Sequence, residues 1–267
     1  MTSGLYSSPV PVPITEAAAR FSLAGRTVII TGASSGLGRS LAEGLAQAGC
    51  NLVLVARRQA LLDDTATRVR RHGAEVIVVC ADVAQDGAAG AIVEQSIDRF
   101  RALHGLVNNA GTAGAVPSLQ ETEQQFRSVF EVNLLGSYWM AKAAAGAMGP
   151  GAAIVNIGSV LASRSIGLPQ AAYTSSKAAL QALTRELAQQ WTGRLGIRVN
   201  ALVPGFFPSD MTAEIPPSRR AEIEQRIPAG RLGEPHELIG PVTFLLSEAS
   251  SYVSGACLAV DGGFLTR

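Results

Sequence analysis

The chain carries almost no excess charge: 22 Lys and Arg against 21 Asp and Glu leave a formal net charge of +1 over 267 residues. The two signs are interspersed, so a nucleic acid or an anionic membrane surface finds no electrostatic footing. Cysteine is scarce. Cys50, Cys80 and Cys257 lie far apart in apolar surroundings, an odd set that reads as small buried hydrophobes in a reducing compartment rather than a disulfide framework. His72, His104 and His236 fall into no ligand spacing with one another or with the cysteines, so no metal site is expected. Long apolar runs are missing too, none approaching the ~18 residues that span a bilayer. The first twenty residues carry Pro9, Pro11 and Pro13 without a basic start or a continuous apolar stretch, which excludes a secretory signal. Residues 1–22 read as an N-terminal extension, a mobile tail free to pack on a neighbouring subunit. The expectation is a soluble cytoplasmic protein.

Aromatics make up only 5% of the chain although 47% of it is hydrophobic. The balance is Ala, Val, Leu and Ile, together with 28 Gly, a mix that lets helices pack closely on a buried sheet. Short apolar runs recur at Thr27 to Thr31, Leu52 to Val55, Glu75 to Val79, Leu106 to Val107, Ala153 to Ile157, Arg198 to Leu202 and Cys257 to Val260. Helical periodicity fills the intervals, with a long segment from Thr122 to Met148, another from Ala171 to Gln190 and a last one from His236 to Leu246. Strands apolar on both faces, each followed by a helix, predict an α/β fold: a doubly wound, parallel, seven-stranded sheet of Rossmann type, in one domain over residues 23–267. Pro204 to Pro228, rich in Pro, Phe and charge, reads as a substrate lid at about 204–228.

The first strand runs into Thr31-Gly32-Ala33-Ser34-Ser35-Gly36-Leu37-Gly38. Glycines at a strand-to-helix turn permit a tight bend and close backbone approach, and free N–H groups at the helix start favour a pyrophosphate. Gly32, Ser34, Ser35, Gly36, Leu37 and Gly38 are therefore candidate nucleotide contacts. After the second strand come Ala56-Arg57-Arg58, with no carboxylate. Arg57 and Arg58 suit a 2′-phosphate, where an acidic residue would suit a ribose hydroxyl, so NADP(H) is favoured over NAD(H). In Tyr173-Thr174-Ser175-Ser176-Lys177 a phenol and an ammonium share one helix face at i and i+4. A nearby cation is expected to lower the phenol pKa, equipping it to exchange a proton with a carbonyl or alcohol oxygen. Ser159, at the end of a predicted buried strand, is placed to polarise the same oxygen.

Taken together these residues resemble the compact single-domain branch of the short-chain dehydrogenase/reductase family, with weaker likeness to its 3-oxoacyl-carrier-protein reductases and gluconate 5-dehydrogenases. The matching motifs are Thr31-Gly32-x-x-x-Gly36-x-Gly38, Asp82-Val83, Asn108-Asn109-Ala110-Gly111, Asn133, Ser159, Tyr173-x-x-x-Lys177, Pro204-Gly205 and Val260-Asp261-Gly262-Gly263, in the family's order. The resemblance implies a tetrad of Asn133, Ser159, Tyr173 and Lys177, with Tyr173 as acid/base, Lys177 also holding the nicotinamide ribose and Asn133 helping to hold a water relay. It implies Asp82 and Val83 near the adenine, Asn109, Ala110 and Gly111 under the adenosine, and Pro204, Gly205, Phe207, Ser209 and Met211 around the nicotinamide. It also implies a small-molecule ketone or alcohol substrate and a homotetramer. Two departures touch the substrate region: the Ser159–Tyr173 interval is one residue longer than is common, and Ser209 stands where threonine is frequent.

Leu161, Ile166, Phe206, Phe207 and Met211 read as an apolar wall of the substrate pocket, with Arg164 among them. Arg164 is either a solvated loop residue or the partner of a carboxylate or phosphate on the substrate. An alternative from another class is a cofactor-binding regulatory or scaffold protein of the same fold without turnover, and the intact tetrad argues against it.

Overall fold

The computed structural model describes residues 14–208 and 216–266. Seven strands, β1 (Thr27–Thr31), β2 (Asn51–Ala56), β3 (Val76–Cys80), β4 (Leu103–Asn108), β5 (Met148–Ile157), β6 (Arg198–Pro204) and β7 (Cys257–Val260), form one sheet in the order β3-β2-β1-β4-β5-β6-β7. Every neighbouring pair is parallel. The doubly wound sheet expected from the sequence is the fold.

Alternation along each strand divides the core into two layers. Val28, Ile30, Leu52, Leu54 and Val107 face one layer, whereas Ile29, Val53, Val55 and Leu106 face the other. The helices are α1 (Ile14–Ala19), α2 (Gly36–Gln47), α3 (Gln59–Arg70), α4 (Ala88–Phe100), α5 (Glu123–Phe130), α6 (Ser137–Ala147), α7 (Ala171–Leu195), α8 (Pro217–Arg226) and α9 (Ile239–Leu246). Leu41 and Leu45 of α2, Leu62 and Val69 of α3, and Val242 and Leu245 of α9 cover the first layer. Ile92 of α4, Met140 and Ala144 of α6, and Leu187 of α7 cover the second. A third cluster, with Val160, Leu161, Phe206, Ile227 and Phe264, closes over the ends of β5 and β6. The chain leaves β1 toward β2 on one side, while β4 pairs with β1 on the other. That reversal opens a crevice at the carboxyl ends of β1 and β4, where ligands of open α/β sheets bind.

Several local expectations change. The long helical segment is not regular: α5 and α6 are joined by a π-helical turn, Glu131–Gly136. β5 begins at Met148 rather than Ala153, with a register irregularity against β4 between Leu103 and Gly105. α7 runs five residues past Gln190 and stops where Gly196 takes the left-handed conformation, φ 68°, the usual glycine stop. The segment read as a mobile tail is helical from Ile14, Arg20 O accepts from Ala249 N–H at 3.0 Å, and the Phe21 ring leans on Phe244. Only Cys50 is buried; Cys80 and Cys257 are exposed, because they lie on the two edge strands. No helix among the described residues is long and apolar enough to cross a membrane.

At the end of the sheet remote from the crevice, the backbone N–H of Thr27 donates to His104 Nδ1 at 3.0 Å. Burial, then the nearby Arg26 charge, holds His104 below its ordinary pKa, because protonation would remove that acceptor. The folded state thus binds this proton less readily than the unfolded chain, so stability is lost as pH falls below about 6.5. The urea midpoint is expected to drop between pH 7 and pH 5, and His104→Gln to flatten that slope. Equal slopes in the two proteins would exclude His104 as the cause.

Candidate active site

The glycine-rich turn is built for close approach. Gly32 and Gly36 have φ of 68° and 52°, conformations that side-chain-bearing residues avoid. A Cβ on Gly38 would stand 2.2 Å from Gly32 O, and one on Gly32 would stand 2.8 Å from Ala110 Cα. Ser35 is the N-cap of α2 but makes no side-chain cap hydrogen bond. The helix start therefore keeps N–H donors that Ser35 does not satisfy. Such a cradle, opening on the crevice between β1 and β4, fits a dinucleotide pyrophosphate.

Thr31 fixes this turn to the end of β4. Its hydroxyl accepts from the N–H of Asn109 and of Ala110, both at 3.0 Å. Asn109 Nδ2 donates in return to Thr31 O at 3.0 Å and Gly32 O at 3.2 Å. The Asn109 amide is therefore spent on the turn, and Ala110 and Gly111 pass the crevice as backbone. A Cβ on Gly111 would meet Asn133 Oδ1 at 3.4 Å and Lys177 Nζ at 3.5 Å.

The two arginines after β2 diverge. Arg58 Nη2 donates to Ser35 Oγ at 2.7 Å and Ser34 Oγ at 3.3 Å, lying over the turn. Arg57 is largely exposed and pairs with Asp82 at 3.5 Å. The other Asp82 oxygen accepts from Ala84 N–H, while Val83 is buried against Gly136. Arg39 was not singled out from the sequence, yet its Nη2 supports the turn by donating to Ser34 O at 2.9 Å.

Asn133, fully buried, lies in the π-helical turn, an irregularity frequent at functional positions. Its Nδ2 donates to Thr112 O and to Ser176 Oγ, at 2.9 and 3.0 Å, and its Oδ1 accepts from Thr112 N–H at 2.8 Å. The side chain thus ties the loop after Gly111 to α7.

Ser159 lies two residues beyond β5, accepts from Leu161 N–H at 3.1 Å and stands near enough to the Tyr173 phenol to affect its titration. Lys177 is buried, with Nζ donating to Ile157 O at 2.8 Å and lying 6.0 Å from the Tyr173 ring centroid. Burial pushes the phenol above its ordinary value, and the nearby Ser159 hydroxyl offsets this only in part. The same burial brings the Lys177 ammonium down to about 8. The expected lowering of the phenol by its cation neighbour is therefore not what the geometry gives. Desolvation outweighs a cation already bonded to a carbonyl.

Pro204-Gly205 packs so closely on the chain end that a Gly205 Cβ would stand 2.7 Å from Asp261 Cα. Phe206 joins Leu161 and Ile166 in the buried cluster over β5 and β6. Phe207 does not. It is buried in the opposite layer, its ring against Gly233. Ser209 and Met211 lie outside the described residues. A small cavity of about 70 Å³ is lined by Phe206, Phe207 and Gly233 among others, and by none of the tetrad. Gln170, the residue before α7, buries its Oε1 without a partner among the described residues. Nothing in the sequence signals that.

A dinucleotide cradle beside a half-buried tyrosine flanked by a buried serine and a buried lysine fits an oxidoreductase of the nicotinamide type. Comparisons with known proteins narrow the class. The profile of a family described as enoyl-(acyl carrier protein) reductase matches residues 32–265. The 2-dehydro-3-deoxy-D-gluconate 5-dehydrogenase of Escherichia coli (strain K12) is 37% identical over 254 residues, 92% of this chain and 98% of that one. A galactitol 2-dehydrogenase (L-tagatose-forming) of Cereibacter sphaeroides is 39% identical over 253 residues, 91% and 96% of the two chains. The crystal structure of a gluconate 5-dehydrogenase from Burkholderia cenocepacia J2315, in complex with NADP and tartrate, superposes with a TM-score of 0.86 at 35% identity, covering 93% and 98% of the two chains. The chain belongs to the short-chain dehydrogenase/reductase family.

A buried ammonium without a carboxylate costs stability at neutral pH. Because the folded state holds this proton less tightly than the unfolded chain, the cost is relieved as pH rises from about 8 toward 10.5. Lys177→Met is expected to raise Tm at pH 7 by on the order of 2–6 °C, with the gain shrinking toward pH 10. A lower Tm at pH 7 would contradict this reading.

Proposed function

We propose that the protein is an NADP(H)-dependent dehydrogenase that interconverts a secondary alcohol and a carbonyl on a small polyhydroxy molecule. The observation that carries the proposal is the placing of Tyr173 beside the buried Lys177 ammonium, 6.0 Å from its ring centroid, with Ser159 close by and the glycine-rich cradle next to them. Names of relatives, a sugar-acid dehydrogenase and a polyol dehydrogenase, support the substrate class. A solved relative that contains NADP supports the cofactor.

NADP(H), when bound, supplies or accepts the hydride. Gly32 to Gly38 hold its pyrophosphate, Arg58 with Ser34 and Ser35 meets the 2′-phosphate, Asp82 and Val83 flank the adenine, and Pro204 and Gly205 border the nicotinamide. Tyr173 donates its phenolic proton to the carbonyl oxygen as that oxygen gains negative charge. Burial keeps the phenol protonated, so the resting site is a proton donor suited to carbonyl reduction. Ser159 orients and polarises the same oxygen. Lys177, bringing its proton close to neutral range, returns a proton to the phenolate and holds the nicotinamide ribose. Asn133 positions α7 through Ser176. In the reverse direction the phenolate removes the alcohol proton.

The chain is also inferred to assemble with copies of itself, the family's tetramer being the expected form. Phe126, Leu135 and Trp139 are exposed on the outer side of α5, the π-helical turn and α6, and β7 is an unpaired edge with alternate residues exposed. Apolar helix faces and open edges of this kind are covered by partners in stable proteins.

The cofactor assignment is tested by kcat/KM with NADPH and NADH on a panel of keto-sugars and keto-sugar acids. The wild type is expected to prefer NADPH. Arg58→Ala should lower that preference roughly tenfold to a hundredfold, the worth of a charge-assisted hydrogen bond, and Arg57→Ala should lower it less. An unchanged preference in Arg58→Ala, or a wild type that prefers NADH, contradicts the assignment.

A further inference from the structure

The loop between Ser159 and Tyr173 contains an arginine with no acidic partner among the described residues. The N–H of Arg164 donates to Val160 O at 3.1 Å, so one turn of chain sets it close after Ser159. Its guanidinium is half-buried, donates through Nη1 to Phe264 O at 3.3 Å and lies 5.5 Å from the Phe264 ring centroid. Phe264 in turn packs edge-on against Phe206, with centroids 5.4 Å apart, in the cluster against which Tyr173 also packs.

Several other arginines are neutralised, whereas the buried Arg198 is saturated by Leu245 O, Ser247 O and Ser250 Oγ. Arg68, Arg127, Arg220 and Arg231 each pair with a carboxylate. The second arginine on this loop, Arg219 of α8, donates to Ile166 O and pairs with Glu222. Arg219 therefore holds the loop in place but adds no free charge to it. Arg164 does add one.

A half-buried guanidinium resting on a carbonyl and a ring face has given up hydration without gaining a counter-ion. It has five N–H donors, and the contact with Phe264 O occupies a single nitrogen. A planar carboxylate matches the remaining donors. Its backbone follows Ser159 within one turn, and Phe264, on which it rests, belongs to the cluster against which Tyr173 packs. We infer that Arg164 determines specificity by pairing with a carboxylate of the substrate, and that the substrate is a polyhydroxy acid rather than a neutral polyol. The inference deepens the dehydrogenase reading above and rests on it.

The test measures kcat/KM with NADP for an aldonate and for the alditol of equal chain length, in wild type, Arg164→Gln, Arg164→Lys and Arg219→Gln. The wild type should prefer the acid. Arg164→Gln should reduce the acid-to-alditol ratio roughly tenfold to a hundredfold, Arg164→Lys should retain part of it, and Arg219→Gln should move both substrates alike. A wild type that prefers the alditol, or an Arg164→Gln protein in which both substrates fall by one factor, overturns the inference. Calorimetric titration of tartrate into the NADP-loaded protein supplies a readout independent of turnover. Binding weakened by Arg164→Gln and partly restored in Arg164→Lys supports the inference. Binding that is absent in the wild type, or unchanged in Arg164→Gln, overturns it. If the wild type binds tartrate through Arg164 yet turns over no substrate, the dehydrogenase reading fails and the carboxylate site stands.

Discussion

The site depends on one buried contact, the donation of the Lys177 ammonium to Ile157 O at 2.8 Å. It fastens α7 to the carboxyl end of β5, and so sets Tyr173 beside Ser159. It also buries a cation that has no carboxylate partner among the described residues, and burial brings its pKa down to about 8. The chain holds only two lysines, Lys142 and Lys177, among 22 basic residues. Arginine serves almost everywhere else, but a guanidinium does not give up its proton in proteins. A position that must be buried and still exchange a proton is one that arginine cannot fill.

The rest of the fold supplies that contact with a frame. Alternation of apolar residues buries both faces of the sheet, and the reversal of strand order leaves a crevice at β1 and β4. Thr31 and Asn109 bind the two walls of the crevice to each other. The π-helical turn brings Asn133 against both Thr112 and Ser176. Three separate stretches of chain, the turn after β1, the loop after β4 and the first turns of α7, are thus held by side chains whose hydrogen bonds are internal. The groups left for a ligand are backbone N–H donors at α2, the Ser159 and Tyr173 hydroxyls, and arginines at the rim.

Much of this was legible in the sequence because it depends on period and spacing. Continuous apolar runs such as Val28 to Ile30 specify strands buried on both faces, and the interval from Tyr173 to Lys177 specifies one helix face. Effects that depend on which atom a side chain finds were not legible. Asn133 and Asn109 look like polar residues available to a ligand, yet Asn133 is held by Thr112 and Ser176 and the Asn109 Nδ2 by Thr31 O and Gly32 O. Arg57 and Arg58 are neighbours with the same chemistry, and only the positions of Asp82 and Ser35 separate them. Phe206 and Phe207 face opposite layers because successive residues at a strand end point to opposite sides. Cys80 and Cys257 sit in apolar runs, but their strands are edges, and edge position is a property of topology rather than of local sequence. The balance between desolvation and a neighbouring charge at Tyr173 likewise requires knowing how deep both groups lie.

The central claim is that Tyr173 carries the proton in a reaction whose hydride comes from the cofactor. The most direct measurement is kcat for Tyr173→Phe beside its dissociation constant for NADPH, since the substitution removes the phenolic oxygen and proton and little else. General acid–base catalysis contributes roughly a hundred- to ten-thousand-fold, so turnover should fall by a factor in that range while NADPH binds as in the wild type. Turnover retained in Tyr173→Phe with unaltered NADPH binding would contradict the account.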